Sequence, residues 1–128
     1  AIFSGPSYSL ISTAPDLANF YQMVLNGGTF QSKRLLSAES VKVMTALHTG
    51  DIKAGHNPGT GFGLAWEVTK DAQGSLGLQS IGTYGHGGAF GTYGWVDPAK
   101  QLVGVFMTQG GTPDARNAFV AMAGASVE

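Results

Sequence analysis

Cysteine is absent from the chain, which excludes disulfides, thiolate nucleophiles and cysteine-based metal sites. Charge is scarce as well: charged residues make up 12% of the sequence, against about 25% in an ordinary soluble domain. The seven Lys and Arg form no basic run and the formal net charge is −1, so nucleic acid is not an expected partner. No apolar stretch reaches the roughly 20 residues that span a bilayer, and no signal-peptide pattern is visible. Several catalytic signatures are missing too. Gly74-Ser75-Leu76-Gly77 has the wrong spacing for a nucleophile elbow, no Ser-x-x-Lys occurs, and no glycine loop fits a phosphate or dinucleotide. His48, His56 and His86 form no i, i+4 pair, so neither a metal nor a cofactor is expected. His48 and His56 fall in or near a loop and read as surface residues.

What the chain does have is glycine, 20 residues of it, beside an ordinary 43% of hydrophobic residues. Its length suits one domain with a real core. Low charge with much glycine fits a β-rich domain with tight turns, or a surface that faces further protein. Thr13 can cap a helix with Pro15 in its first turn. Leu17, Phe20, Tyr21, Val24 and Leu25 then share one face, and Asn26-Gly27-Gly28 ends it. Ser37 caps a shorter helix with Val41, Met44 and Leu47 inward. Thr49 to Thr60 has loop composition, and Phe62, Leu64, Trp66 and Val68 alternate as in a strand. Ile81 to Thr92 is too glycine-rich to read by pattern. Tyr93–Val96 and Leu102–Thr108 flank Asp97-Pro98-Ala99-Lys100-Gln101, which predicts a hairpin. The second of these strands is apolar at nearly every position, as a strand covered on both faces would be. Thr112-Pro113-Asp114 opens a last helix with Ala115, Ala118, Phe119, Met122 and Ala123 as its stripe. The expected class is α+β: an antiparallel sheet packed by helices.

Chemistry concentrates in Tyr84-Gly85-His86-Gly87-Gly88-Ala89-Phe90-Gly91. Small residues let another group approach the backbone closely, and a strand edge offers N–H and C=O groups to an extended substrate. One N–H aimed at an oxyanion is worth roughly 2.7–4 kcal/mol in acyl transfer. The plainer reading is a bulged strand whose glycines make room for Trp66 or Trp95.

Leu10 to Phe20, Leu25-Asn26-Gly27-Gly28, Arg34-Leu35-Leu36-Ser37, Gly61 to Trp66 and His86-Gly87-Gly88 followed by Trp95-Val96-Asp97-Pro98 occur in that order. The ordered set resembles the C-terminal part of the serine β-lactamase-like and penicillin-binding-protein superfamily, which includes class C β-lactamases, DD-peptidases and family VIII esterases. The resemblance implies a single C-terminal fragment over residues 1–128, with a helical part at 1–48 and strands and the last helix at 61–128. It also implies a periplasmic or secreted setting. In that family a Ser-x-x-Lys supplies the nucleophile, a Tyr-x-Asn assists proton transfer and a Lys/His-x-Gly strand completes the site. Only the third is present; Tyr8-Ser9-Leu10 lacks the Asn. By the family pattern His86 and the N–H of Ala89 serve catalysis, while Gly87, Gly88 and Tyr84 line the substrate edge. His86 stands where β-lactamases carry Lys, and an imidazole with a reference pKa of about 6.5 is mostly neutral at neutral pH. That leans toward esterase or peptidase relatives.

The resemblance thus implies a serine acyl hydrolase acting on a small-molecule or peptide acyl substrate, with this chain inactive alone for want of its nucleophile. The alternative is a non-catalytic binding or interaction domain derived from the same fold. An α/β-hydrolase reading of His-Gly-Gly needs a downstream nucleophile elbow and a parallel sheet, and neither follows Ala89. Half of the family's sheet would leave an open edge, so self-association or pairing with the missing N-terminal part is expected.

Overall fold

The computed structural model describes residues 10–71, 78–110 and 112–127. The expectations placed on Tyr8-Ser9 and on Gly74–Gly77 lie outside these residues. Helix α1 spans Ala14–Leu25, and the Thr13 hydroxyl accepts from the Asp16 N–H at its start. Gly27 and Gly28 follow at φ +64° and +93°, the left-handed conformation that glycine tolerates at a helix end. Two short strands, β1 (Thr29–Phe30) and β2 (Lys33–Arg34), pair antiparallel. Helix α2, Ala38–Thr45, is capped by the Ser37 hydroxyl.

Five strands then form one antiparallel meander: β3 (Thr60–Phe62), β4 (Glu67–Thr69), β5 (Tyr84–Gly87), β6 (Tyr93–Asp97) and β7 (Leu102–Phe106). Helix α3, Pro113–Ala125, closes the chain with the Thr112 side chain as its cap. Consecutive side chains of β6 point to opposite faces. Val96 joins Tyr21, Val24, Trp66, Val68 and Tyr84 on the α1 face. Tyr93 and Trp95 meet Val120, Phe106 and Phe119 on the α3 face. The sheet is therefore covered on both sides by this chain's own helices, and the fold is α+β as expected.

Three local expectations are corrected. Residues 62–68 are not one strand: Gly63 N–H bonds Trp66 C=O, Ala65 adopts φ +65°, and a hairpin joins β3 to β4. The alternation misled because this connection packs on α2, where a Cβ on Gly63 would stand 2.6 Å from the Met44 carbonyl. The buried stripe of α3 is Phe119, Val120, Ala123 and Gly124, while Met122 is 65% exposed. Gly124 turns the helix, since its backbone lies against Leu78 with little room for a side chain. Finally, β7 is covered on both faces but only partly buried, because it is an edge strand; the fully buried strand is β6.

Buried Asp97 fixes the β6–β7 hairpin by accepting from Lys100 N–H and Ser80 N–H at 3.2 and 3.0 Å. Lys100 Nζ in turn donates to the carbonyls of Leu78 and Gly124. A cation at the last turn of α3 is favourable there.

Candidate active site at the end of strand β5

Strand β5 lies between β4 and β6, but the two ladders differ in length. β6 pairs with all of Tyr84–Gly87, whereas β4 reaches only Tyr84 and Gly85. Gly88 N–H bonds Thr92 C=O at 2.8 Å, so alternate residues Tyr84, His86 and Gly88 direct their backbone groups to β6. Those of Gly87 point the other way, along an edge that β4 leaves uncovered. Gly91 N–H closes a turn on Gly88 C=O, and the Ala89 N–H inside that turn has no acceptor among the described residues.

The glycines of this segment do different jobs. A Cβ on Gly85 would stand 2.8 Å from the Cβ of Trp95 and collide with the Gly94 carbonyl. Gly85 and Gly104 flank Trp95 in register on the neighbouring strands: the indole occupies the space Gly104 leaves, while Gly85 lies against the Trp95 Cα and Cβ. A Cβ on Gly87, by contrast, would meet its nearest atoms at 3.7–3.8 Å, an ordinary contact. Internal packing therefore requires glycine at 85 and not at 87.

His86 is exposed, and its Nδ1 lies 2.7 Å from the Gly87 carbonyl oxygen. A carbonyl only accepts, so Nδ1 carries the proton, and in the neutral ring Nε2 keeps a lone pair. His56 stands edge-on to His86 with 5.6 Å between ring centroids, and Phe62 contacts both rings. His56 is exposed, as expected of a surface residue, and its ring contacts bring it to the candidate site. The His48 N–H bonds the Phe62 carbonyl, but its imidazole lies 2.7 Å from the Val43 carbonyl through Nε2.

A cavity of about 460 Å³ opens beside the strand end, lined by His56, Glu67, His86, Gly87, Ala89, Tyr93 and Arg116 among others. A smaller one of about 320 Å³ lies toward α1, with His86 again in its wall beside Tyr21 and Tyr93. Arg116 supplies the positive charge of the larger cavity and lies over the Tyr93 ring, 5.6 Å from its centroid. Burial pushes the Tyr93 phenol up, and nearby Glu67 adds to that; a hydrogen bond from Gln79 and the charge of Arg116 oppose it. Tyr21 is pushed up to about 12 by burial and by Tyr93. These phenols hold their protons at neutral pH, so they can donate hydrogen bonds but not act as ready bases.

Of the residues singled out in the sequence, His86, Gly87, Gly88 and Ala89 come together at the cavity. Tyr84 does not. Its side chain is 5% exposed and packs edge-on against Trp66 in the α1-side core, where burial pushes its phenol up to about 12. Period 2 along β5 puts residues 84 and 86 on the same face, but position 84 lies one pair deeper under α1. Sequence reasoning missed Arg116, His56 and Glu67. Arg116 was findable: it lies three and four residues before Phe119 and Val120, on the face of α3 turned to the sheet.

A family model described as Beta-lactamase matches residues 2–127. A protein named "Uncharacterized protein" from Mycobacterium tuberculosis (strain CDC 1551 / Oshkosh) is 33% identical over 117 residues, covering 84% of this chain and 29% of the relative. A protein of Escherichia coli O157:H7 named "Putative D-alanyl-D-alanine carboxypeptidase" is 35% identical over 102 residues, covering 77% of this chain and 22% of the relative. Its counterpart in Escherichia coli strain K12, named likewise, is 34% identical over the same length. The chain thus spans less than a third of these relatives. With a match running through almost every residue, the chain belongs to the Beta-lactamase family.

Proposed function

We propose that this chain is the C-terminal part of a serine acyl hydrolase, a β-lactamase-like esterase or peptidase, and that the end of β5 is its acyl ledge. One observation carries the reading: the Ala89 N–H, in the turn that ends β5, has no acceptor among the described residues and lies beside His86 at the cavity. A substrate carbonyl seated there meets a fixed donor, which is the arrangement that stabilises a tetrahedral oxyanion. Gly87 leaves room for the acyl group, and Gly88 holds the turn that presents Ala89. The Nε2 lone pair of His86 accepts a hydrogen bond or proton near the reacting atoms. Arg116 provides a cation for an anionic end of the substrate.

The nucleophile is a serine on a segment outside residues 1–128, since no Ser-x-x-Lys occurs within them. The acyl group passes from the substrate to that serine oxygen as the leaving alcohol or amine takes up a proton. Water then releases the acid. Loss of a nucleophile alone costs about a millionfold in kcat, so the isolated chain hydrolyses nothing measurable.

The test is labelling with a fluorophosphonate probe, together with assays on a p-nitrophenyl ester and a chromogenic cephalosporin. The full-length polypeptide that carries this chain is labelled and active, and residues 1–128 alone are neither. A labelled serine inside this chain would overturn the reading. Ligand binding without turnover by the full-length polypeptide would favour a non-catalytic binding domain instead.

A further inference from the structure

Glu67 is 6% exposed, yet no cation pairs with it among the described residues. A carboxylate taken out of water without a counter-charge is costly unless hydrogen bonds replace its hydration. Here they come from one place. Asn57 donates through its backbone N–H to Oε1 at 2.8 Å and through Nδ2 to Oε2 at 3.0 Å. The Thr60 hydroxyl lies 2.6 Å from Oε1 and 2.6 Å from the Asn57 carbonyl. It has one proton, so it donates to one of them at a time, and the carboxylate is the stronger acceptor. The two Asn57 donors belong to the stretch of chain that leads into β3, and Thr60 is the first residue of that strand.

That stretch, the Thr49–Gly59 loop, has no helix or strand of its own. Its far end is fastened by Lys70 Nζ to the carbonyls of Gly50 and Ile52, and by Phe62 N–H to the Thr49 hydroxyl. Its near end is held by Glu67. His56 precedes Asn57 directly, so the two bonds that fix Asn57 also fix where the imidazole stands: against Phe62 and His86, on the wall of the cavity of about 460 Å³.

We propose that Glu67 is a positioning residue that acts through His56, holding it against His86 so that it forms one wall of the acyl pocket and decides which acyl groups fit. This rests on the reading of β5 as an acyl ledge. Glu67 itself is bonded to the loop and makes the wall rigid; His56 is the residue that meets the substrate. The sheet provides the ledge and the loop provides the selectivity.

Two measurements on the full-length polypeptide test this. The first is the nuclear Overhauser cross-peak between the His56 and His86 rings. It is expected in the wild type, lost in Glu67→Ala and weakened in the milder Asn57→Ala, which keeps the carboxylate. A cross-peak at full strength in the folded variants overturns the proposal, and Asn57→Ala decides if Glu67→Ala does not fold. The second is the ratio of kcat/KM for p-nitrophenyl acetate and p-nitrophenyl octanoate. Glu67→Ala and His56→Ala should each shift it about tenfold, the scale of small changes in an apolar pocket. In a His56→Ala background, Glu67→Ala should add nothing; two independent, additive shifts would refute a role through His56. A wild type that hydrolyses neither ester defeats the acyl-ledge reading, while the ring cross-peak still judges the positioning.

Discussion

His86 donates from Nδ1 to the carbonyl of its own neighbour, Gly87, at 2.7 Å. The bond occupies an outward-facing carbonyl on the open edge of β5 and fixes the neutral ring as the Nδ1–H tautomer. Imidazole 15N shifts should therefore show a protonated Nδ1 and a bare Nε2 at alkaline pH. In the full-length polypeptide, His86→Ala should lower kcat by about 10²–10⁴, the range of a lost acid–base group. Unchanged kcat would remove His86 from the chemistry.

Gly85 is required by packing and Gly87 is not, so within one strand they separate packing from the proposed acyl ledge. Gly85→Ala forces a Cβ against Trp95, and overpacking of this kind costs about 1–3 kcal/mol. Gly87→Ala meets only ordinary contacts, the nearest being Arg116 at 3.7 Å. Its stability should stay within about 0.5 kcal/mol of the parent, while the new methyl narrows the cavity and raises KM for acyl substrates. Urea melts of both variants, set beside ester kinetics, check the pair.

Alkaline titration reports on the core. Tyr21 and Tyr84 are pushed up to about 12, mainly by burial, against about 10 in an unfolded chain. Between those values the unfolded state has released protons that the native state still holds. Stability is thus intact below pH ~10 and falls as pH rises toward ~12. Phenolate absorbance should lag accordingly, and Tyr84→Phe should flatten that fall. Ionisation of all tyrosines near pH 10 in the folded protein would contradict the buried placement of Tyr84.

β7 is the edge strand of the sheet, and we propose its open edge as a site for strand pairing. Register places the outward backbone groups at Val103 and Val105, and no strand covers them among the described residues. Isolated residues 1–128 should associate with concentration, and Val105→Pro, which removes an outward N–H, should leave a monomer. Sedimentation velocity across a concentration series checks both.

Helix caps and the β6–β7 hairpin were legible because their signals are local: Thr13, Ser37 and Thr112 each precede a helical face, and Asp97-Pro98 opens the turn. The β1–β2 hairpin was not. Its turn residues Gln31 and Ser32 sit at φ +46° and +66°, positions for which glycine and asparagine are the usual sequence signals. His86-Gly87-Gly88 pointed to residues that line one cavity, but the other walls of that cavity were not legible. His56 reaches His86 across 30 positions of sequence, carried by bonds from Asn57 and Thr60 to a carboxylate whose burial no period-2 pattern reveals. Tyr84 erred the other way: adjacency to the motif suggested the substrate edge, and depth under α1 put it in the core.

The most direct measurement is a crystal structure of the full-length polypeptide with a phosphonate covalently trapped on its nucleophile. We expect the phosphonyl oxygen within roughly 2.7–3.1 Å of the Ala89 nitrogen, the distance of an oxyanion donor, and the phosphorus bonded to a serine outside residues 1–128. A phosphonyl oxygen turned away from β5, with Ala89 N–H facing only solvent, would contradict the acyl ledge.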